Sequence, residues 1–589
     1  MMKMYKKILA MILAASMVLA AGCGKTEPTQ NENKPSESTP AVKESESTPA
    51  TEVSEEEPIE IEKVTLYPQS ASLQSGIRDG YMKELFAKYG LEVEVWAFSE
   101  DKTNAILASG DLPDVMYVTA DQLKTLIEGE MVLNLEDYLD QIPNLTKVDS
   151  IDGALNYSRE FLSAGTGDLY GIPIYVGTLP NTGTTDRNQL MLYWDYYKEI
   201  GFPEIESPDD LIDIFKQMKE KFPKDKLGNE TYAVATLYRT DRYDFLHGYS
   251  TLYGYTNTYF TKMVAANMAT GELEYLLEED GILKDAIIWY NKLYKEGLLD
   301  PNSINIDRGT LLTKTWDGAD VGSYFMVTAE VSGSNDYFKP IYFPGEMVYN
   351  RGTNQFGGNG AYLVVNAESK NVDAALRLLN MFADADAYLE WLAGPEGEIW
   401  EVKEGTNEAY LTDKFVEYLE GGASEEFTFS TGEQRVLFNT LPIVTQGSPT
   451  SYTDAEGNPR STFPWQWSEA LVITQNAQRQ VEWREQYGYD TWFNLLKDKD
   501  ALVTSGRLVE ADKFITQPSE EQKLTINALT DTILNASWKM IYAESDTELQ
   551  GIWDQMIKDA EGLGAKDIYD WTVQNIENAV KIKDNLIGK

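Results

Sequence analysis

Hydrophobic and polar positions change period several times along the chain, and each change marks an element. In KVTLYPQSASLQSGIRDGYMKELFAKYGLEVEVWAF, residues 64–67 read as a strand. A loop follows, then an amphipathic helix to about Tyr89, Gly90 as its stop, and a strand over 91–98. A helix from about Lys102 leads into LASGDLPDVMYVTA, residues 107–120. Gly110 suits the left-handed residue that ends a helix, and Pro113 forces Leu112 to be extended. Residues 115–118 read as a short buried strand, and Thr119 or Asp121 can cap the helix after it. Asp111 and Asp114 read as turn and capping residues, not as a catalytic pair of carboxylates. The start is therefore β-α-β-α-β with parallel crossovers. In such sheets ligands sit at the carboxyl ends of the strands, here 69–72, 96–99 and 118–121.

The same patterning continues. GDLYGIPIYVG (167–177) is a turn and a strand. In SPDDLIDIFKQMKEKF, Ser207 caps a helix with Pro208 at its first position. A helix-rich region runs to about Gly297, and FGGNGAYLVVNAES (356–369) gives a glycine-rich turn and a strand. KNVDAALRLLNMFADADAYLEWLAG reads as one amphipathic helix stopped at Gly394. A last helical pair covers 524–544 and 547–563. From Glu62 onward the chain is too long for one compact core, so two or more lobes are expected. No repeat of fixed period occurs in it.

The amino terminus changes the picture. Lys3, Lys6 and Lys7 precede an apolar stretch over 8–19 and the small residues Ala20-Ala21-Gly22, which predicts an export signal over 1–22. The next residue, Cys23, is the only cysteine in the chain. LAAGC resembles the bacterial lipobox, with Ala20 where that motif usually has Leu. The resemblance implies a diacylated Cys23, and two acyl chains make a stable membrane anchor. From Gly24 to Ile61 the chain is rich in Ser, Thr, Pro and Glu, so 23–61 is expected to be an anchor and a disordered acidic tether.

Charge and rare residues exclude several functions. The chain carries 50 basic and 95 acidic residues, a net charge of −45, which repels nucleic acid and argues against a phosphate-binding role. Without a second cysteine, disulfides are absent from the body, as are thiolate metal sites. His247 is the only histidine, so a zinc site of several histidines and a two-His iron site are excluded within one chain. His247 itself reads as a structural hydrogen-bonder.

The order of motifs then becomes informative. ASGDLPDV, GDLYGIPI, WDYYKEIGFPEI, GAYLVVNAES with AALRLLN, GPEGEIW and KMIYAESDTELQGIWDQMI resemble bacterial extracellular solute-binding lipoproteins of the carbohydrate type. These are the capture subunits of ABC importers. FLHGYSTLYGYTNTYF, GILKDAIIWYNKLYKEGLL and ADVGSYFMVT add a more distant similarity to the maltose-binding proteins. The resemblance implies an α/β fold of the two-lobed periplasmic-binding-protein type (type II), with a hinge crossed about three times. Mapped onto this chain, the crossings fall near 174–178, 357–361 and 441–451. Lobe 1 would be 62–176 with 358–442, and lobe 2 would be 177–357 with most of 443–589. It also implies a sugar ligand, membrane permease subunits with a cytoplasmic ATPase as partners, and a monomer on the outer face of the cell membrane. No cofactor, no metal and no catalysis are expected. Some relatives carry a calcium loop where this chain has PKDKLGNETY, whose only oxygen ligands would be Asp225, Asn229 and Glu230. That is too few for an EF-hand-like loop. A carboxylate-pair glycoside hydrolase and a polysaccharide-binding surface protein without transport remain alternatives.

A sugar presents an apolar face and a rim of hydroxyls, so its cleft needs flat aromatics and short polar side chains. With 13 Trp and 35 Tyr, most aromatics must be core, and position has to select among them. Trp96 sits at a strand end. Tyr249, Tyr253 and Tyr255 lie in a Gly/Tyr/Thr-rich segment. Tyr324 falls on a strand where relatives place a ligand-stacking ring. Trp465 and Trp467, two apart in STFPWQWSEA, are the preferred pair, whereas Trp194 reads as packing. The polar candidates are Gln69, Ser70 and Ser72 after the first strand, Asp121, and Asn181 after the first crossing. The number of aromatic loops favours an oligosaccharide over a monosaccharide, and a peptide ligand stays open.

Overall fold

The structure is a computed structural model. It describes residues 60–588 apart from 69–72, 180–189, 235–242, 257–262, 313, 316–321, 329–335, 343–348, 351–353, 424–425, 435–441, 476 and 504–505. The expected leader, Cys23 and nearly all of the tether lie outside the described residues. No described helix is long and apolar enough to cross a membrane.

A six-stranded sheet organises the first core. Its order is Gly76–Ile77, Leu91–Val95, Glu62–Tyr67, Val115–Thr119, Ala361–Val365 and Ile172–Pro173. Glu62–Tyr67 pairs in parallel with Leu91–Val95 on one side and Val115–Thr119 on the other, the outcome the β-α-β-α-β pattern predicts. Ala361–Val365 runs antiparallel to Val115–Thr119, with Ala361 opposite Thr119. Val115 to Val118 are all buried, as a central strand covered on both faces requires. Helices Gly80–Lys88, Ile151–Phe161, Val372–Phe382 and Ala385–Ala393 supply apolar faces to this core.

LASGDLPDVMYVTA behaves locally as its residues dictate. Gly110 is left-handed at φ 77° and ends the helix Glu100–Ser109. Thr119 caps Ala120–Glu128 in a capping box with Gln122. Asp114 does more than turn the chain. Its buried carboxylate accepts from Thr65 N (2.8 Å), Thr65 Oγ1 (2.7 Å) and Ser369 Oγ (2.6 Å), joining three separate parts of the lobe.

One expected helix is two. The pattern from 370 to 394 breaks after Phe382, and a second helix starts at Ala385. Asp384 is the cause: its carboxylate caps the new helix through Asp386 N and Ala387 N, and it also accepts from Tyr89 OH and Asn144 Nδ2. Apolar periodicity runs through the break because both helices face the same core.

The second core is built differently. A three-stranded antiparallel sheet, Leu190–Tyr193 between Met326–Thr328 and Phe338–Pro340, carries helices Pro208–Lys221, Ile282–Lys295 and Glu520–Ile541. The expected closing helices appear as Glu520–Ile541 and Asp546–Gly562, and a third, Ala565–Leu586, follows that the sequence reading does not contain. With Val264, Ala266 and Leu508–Ala511, this last helix forms a small core of its own.

The three segments expected to be crossings lie side by side. Tyr175 N donates to Pro442 O (2.8 Å), Val176 N to Ile443 O (2.7 Å), and Ile174 N to Ala361 O (3.1 Å). Asn359 N returns a bond to Ile174 O (3.2 Å), and the Asn354 amide donates to Tyr175 O. Gly358 is left-handed at φ 53°, and a side chain there would collide with the Ile174 carbonyl. After 442, however, the chain does not leave for lobe 2. Ile443, Val444, Trp467 and Ala470 all belong to the first core, and Trp483 is the next large residue in the second. The change of core thus falls between Ala470 and Trp483, later than the expected boundary. The cause is the hairpin Pro449–Thr453 with Pro459–Ser461, which folds back onto helix Ala385–Ala393 through Ser451 N and Asp386 Oδ1 (2.8 Å).

Candidate functional site

The parallel strands of the first sheet end on one edge, and Ala361 in register with Thr119 brings the second crossing to that same edge. Trp96 follows Leu91–Val95 there, its N–H bonded to Leu66 O (2.9 Å). Its ring is only partly buried, packed beside Phe98 and Tyr67. The Lys102 ammonium lies 5.2 Å from the centre of the Trp96 ring and 5.7 Å from that of Tyr67.

These groups are held from beneath. Buried Tyr67 OH donates to Ser99 O (3.0 Å), meets Thr103 Oγ1 (2.8 Å), and so ties the first strand to the start of helix Glu100–Ser109. Ser99 caps that helix through Lys102 N. Ser75 Oγ fixes the Ala97 N–H (2.9 Å). Asp121, in the first turn of the next helix, is exposed, and so is Asn359 beside the crossing. Among the described residues no carboxylate comes within 4 Å of Lys102. The edge therefore offers an aromatic plate, a cation, a carboxylate and an amide on a rigid base. Lys102 and Asn359 were not among the sequence candidates. Their signal was positional, one in the first turn after a strand and the other in the glycine-rich turn before one.

The other candidates scatter. Gln69, Ser70, Ser72 and Asn181 lie outside the described residues. Tyr249 is buried in the second core, its ring 5.7 Å from Trp289 and 5.3 Å from Tyr253. Tyr253 and Tyr255 are partly buried against the same core. Burial, then neighbouring Glu274, pushes the Tyr255 phenol up to about 12, and its OH donates to Glu274 Oε2 (3.2 Å). Trp467 is 3 % exposed, donates Nε1 to Ser461 O (3.0 Å), and carries the Arg460 guanidinium 4.3 Å over its ring. Trp465 is partly buried, edge-on to Phe415 (5.0 Å) and stacked on Phe463 (5.1 Å). This pair packs the hairpin against the first core and does not meet Trp96. Trp194 is fully buried, as expected of packing, with Nε1 bonded to Glu482 (3.2 Å). His247 is buried in helix Asp244–Ser250.

Tyr324 stands apart. It lines a cavity of about 430 Å³ together with Asp225, Asn229, Tyr232, Asp300 and Lys314. Its ring is 1 % exposed, and its OH donates to Asp300 (2.7 Å) and accepts from Lys314 (3.0 Å). Burial, then the Asp300 charge, pushes this phenol well above its ordinary range. In the same cavity the Asp225 carboxylate is taken up by Leu227 N (2.9 Å), Asn229 N (2.9 Å), Asn229 Nδ2 (3.1 Å) and Ser323 Oγ (3.0 Å). Four protein donors occupy the oxygens that a cation would need.

Comparison with known proteins places this geometry. No family model matches the chain. The lipoprotein LipO of Bacillus subtilis (strain 168) is 26 % identical over 321 residues, 52 % of this chain and 53 % of that protein. The chain thus spans about half the length of this curated relative. An HMO binding ABC-transporter associated solute-binding protein from Bifidobacterium longum infantis superposes with a TM-score of 0.50, at 15 % identity, covering 89 % of this chain and 99 % of that one. The fold is that of the two-lobed solute-binding proteins. An extracellular solute-binding protein from Bifidobacterium longum subsp. infantis also matches, at 15 % identity and a TM-score of 0.49 over 88 % and 99 % of the two chains.

Proposed function

We propose that the protein is the extracellular substrate-binding subunit of an ABC importer, anchored to the membrane through Cys23, that captures an oligosaccharide between its lobes by hinge closure. The observation that carries this reading is a pair of separate cores with the strand-end segments Ile174–Val176 and Asn359–Ala361 bonded side by side, an arrangement that suits a molecule that closes on a ligand and releases it. The half-open Trp96 ring, with polar Asp121 and Asn359 at the same edge, suits a sugar's apolar face and hydroxyl rim. The HMO-binding description of the Bifidobacterium relative supports the carbohydrate class. The lipoprotein name of the Bacillus relative, together with LAAGC, supports the anchor. The permease and its ATPase would be the partners, and the protein would bind without turnover.

Calorimetric titration with a panel of oligosaccharides tests the proposal. Saturable binding without hydrolysis products is expected, with loss of import of the bound sugar when the gene is deleted. Binding to peptides alone would overturn the carbohydrate assignment, and release of shorter sugars would favour the hydrolase. Trp96→Ala should weaken binding by about 1–3 kcal/mol, the scale for covering one large ring. Unchanged affinity would remove Trp96 from the site.

A further inference from the structure

Helix Ile151–Phe161 has two working faces. Ile151, Ala154, Leu155 and Ser158 are buried toward the first core, whereas Gly153, Tyr157 and Phe161 form a separate stripe at i, i+4, i+8. That stripe meets the carboxyl-terminal part of the chain, which is rooted in the small core of helix Ala565–Leu586 and not in the first core. Phe514 lies 5.8 Å from Tyr157, 5.8 Å from Phe161 and 4.8 Å from Phe356. Asn156 Nδ2 donates to Leu586 O (2.6 Å). Gly153 is pressed so close to Ile587 and Gln355 that a side chain there would displace both.

The same segment grips the hinge. Glu510, left-handed at φ 59° and 9 % exposed, accepts from Gln355 N (2.9 Å) and Gln355 Nε2 (3.2 Å). Next along the chain, Asn354 donates to Tyr175 O, and Tyr175 N donates to Pro442 O. Asn354 and Tyr175 are themselves left-handed, at φ 51° and 60°, conformations that surrounding contacts must hold in a non-glycine residue. Gly357 packs directly on the Tyr157 ring. Phe356, the neighbour of Gly357, is thus held between Phe514 (4.8 Å) and Tyr157 (6.5 Å).

We propose that Glu510–Phe514 and the end of helix Ala565–Leu586 form a latch that sets the conformational equilibrium of the hinge from outside the ligand cleft. The aromatic faces of Tyr157, Phe356 and Phe514 can shift against one another, while the Glu510–Gln355 pair carries the displacement through Asn354 to Tyr175 and on to Pro442. This deepens the capture reading by naming what controls closure, and it rests on that reading only for its physiological use.

Hydrogen exchange of the ligand-free full chain tests the latch without any sugar, so failure of the binding experiments leaves it decidable. In Phe514→Ala, exchange at the hinge amides of Tyr175, Val176 and Gln355 should quicken by about tenfold, while strand Val115–Thr119 keeps its protection. Glu510→Gln, which retains shape and removes charge, should act in the same direction and serves where Phe514→Ala fails to fold. Hinge exchange equal to that of the unmodified protein in a folded variant would overturn the latch. Acceleration spread evenly over both cores would overturn it too, since that signals general destabilisation.

Discussion

The two large cores solve the same problem with different materials. In the first core the strands of the six-stranded sheet are mainly aliphatic, with Val64, Leu66, Val93, Val115, Leu363 and Val365, and rings such as Trp391 and Phe415 come from the helices around it. The second has a sheet half as wide and compensates with rings, including Trp194, Trp289, Trp483, Trp492, Trp538 and Trp553, together with a run of tyrosines. Narrow sheets cover less of a helix face, so long flat side chains must fill the space between helices. Much of the aromatic wealth that suggests a sugar-binding surface is therefore structural filling. What marks Trp96 is not its type but its place, at a strand end on the sheet edge with part of its ring open.

The largest expected effect tests this division. Trp538 is 1 % exposed, 6.4 Å from Phe245 and stacked at 5.7 Å on Tyr542. Trp538→Ala should cost about 3–5 kcal/mol in urea unfolding, the range for emptying a packed ring site. A loss below about 1 kcal/mol would mean that the second core does not depend on its rings.

The glycine-rich turn at 357–360 should respond differently, through backbone and not packing. Gly358→Ala combines a left-handed φ with a collision against the Ile174 carbonyl, and should cost about 2–3 kcal/mol in the same assay. Ala at Gly360, also left-handed but facing open space, should cost less. Equal losses would show that dihedral strain alone, and not the close approach of two crossings, makes Gly358 necessary.

Asp114 tests the polar joints of the first core. Asp114→Ala leaves the Thr65 N–H, the Thr65 hydroxyl and the Ser369 hydroxyl without their acceptor and should cost about 1–3 kcal/mol. A neutral result would reduce Asp114 to the turn residue that its sequence context suggests.

These residues also show where sequence reasoning stops. The parallel opening of the sheet, the stop at Gly110 and the caps at Thr119 and Ser207 were legible, because each follows from local periodicity or a local turn signal. The split at Asp384 was not, since its cause is a carboxylate whose partners, Tyr89 and Asn144, are far away in the chain. Nor was the helix Ala565–Leu586, whose buried face includes Thr572, Asn575 and Lys583 and so dilutes the apolar stripe. Trp465 and Trp467 were chosen for their spacing, but the Arg460 and Phe415 that cover them are tertiary neighbours. Lys102 over Trp96 depends on a strand-to-helix turn whose geometry no single residue announces.

The smallest effect is a pH dependence. Burial opposes ionisation of Asp225, but the donors from Asn229, Ser323 and Leu227 outweigh it and hold the carboxyl below its ordinary 3.8. A carboxyl depressed on folding adds stability that is present above the unfolded value and disappears as pH falls through the folded one. Asp225→Asn keeps the shape and removes this dependence. The melting temperature of the unmodified protein should therefore exceed that of Asp225→Asn at neutral pH, and the gap should narrow as pH falls below about 4. In the first core Glu398 follows the same sign, burial being outweighed by Ser430 and Lys414. Glu274 in the second core runs the other way, raised chiefly by burial, so its contribution falls as pH rises through the interval above its ordinary 4.5. If the gap for Asp225→Asn stayed constant through acid, its bonds to the loop would be equally good with a neutral group. The cavity beside Tyr324 would then owe its shape to the turn and not to the charge.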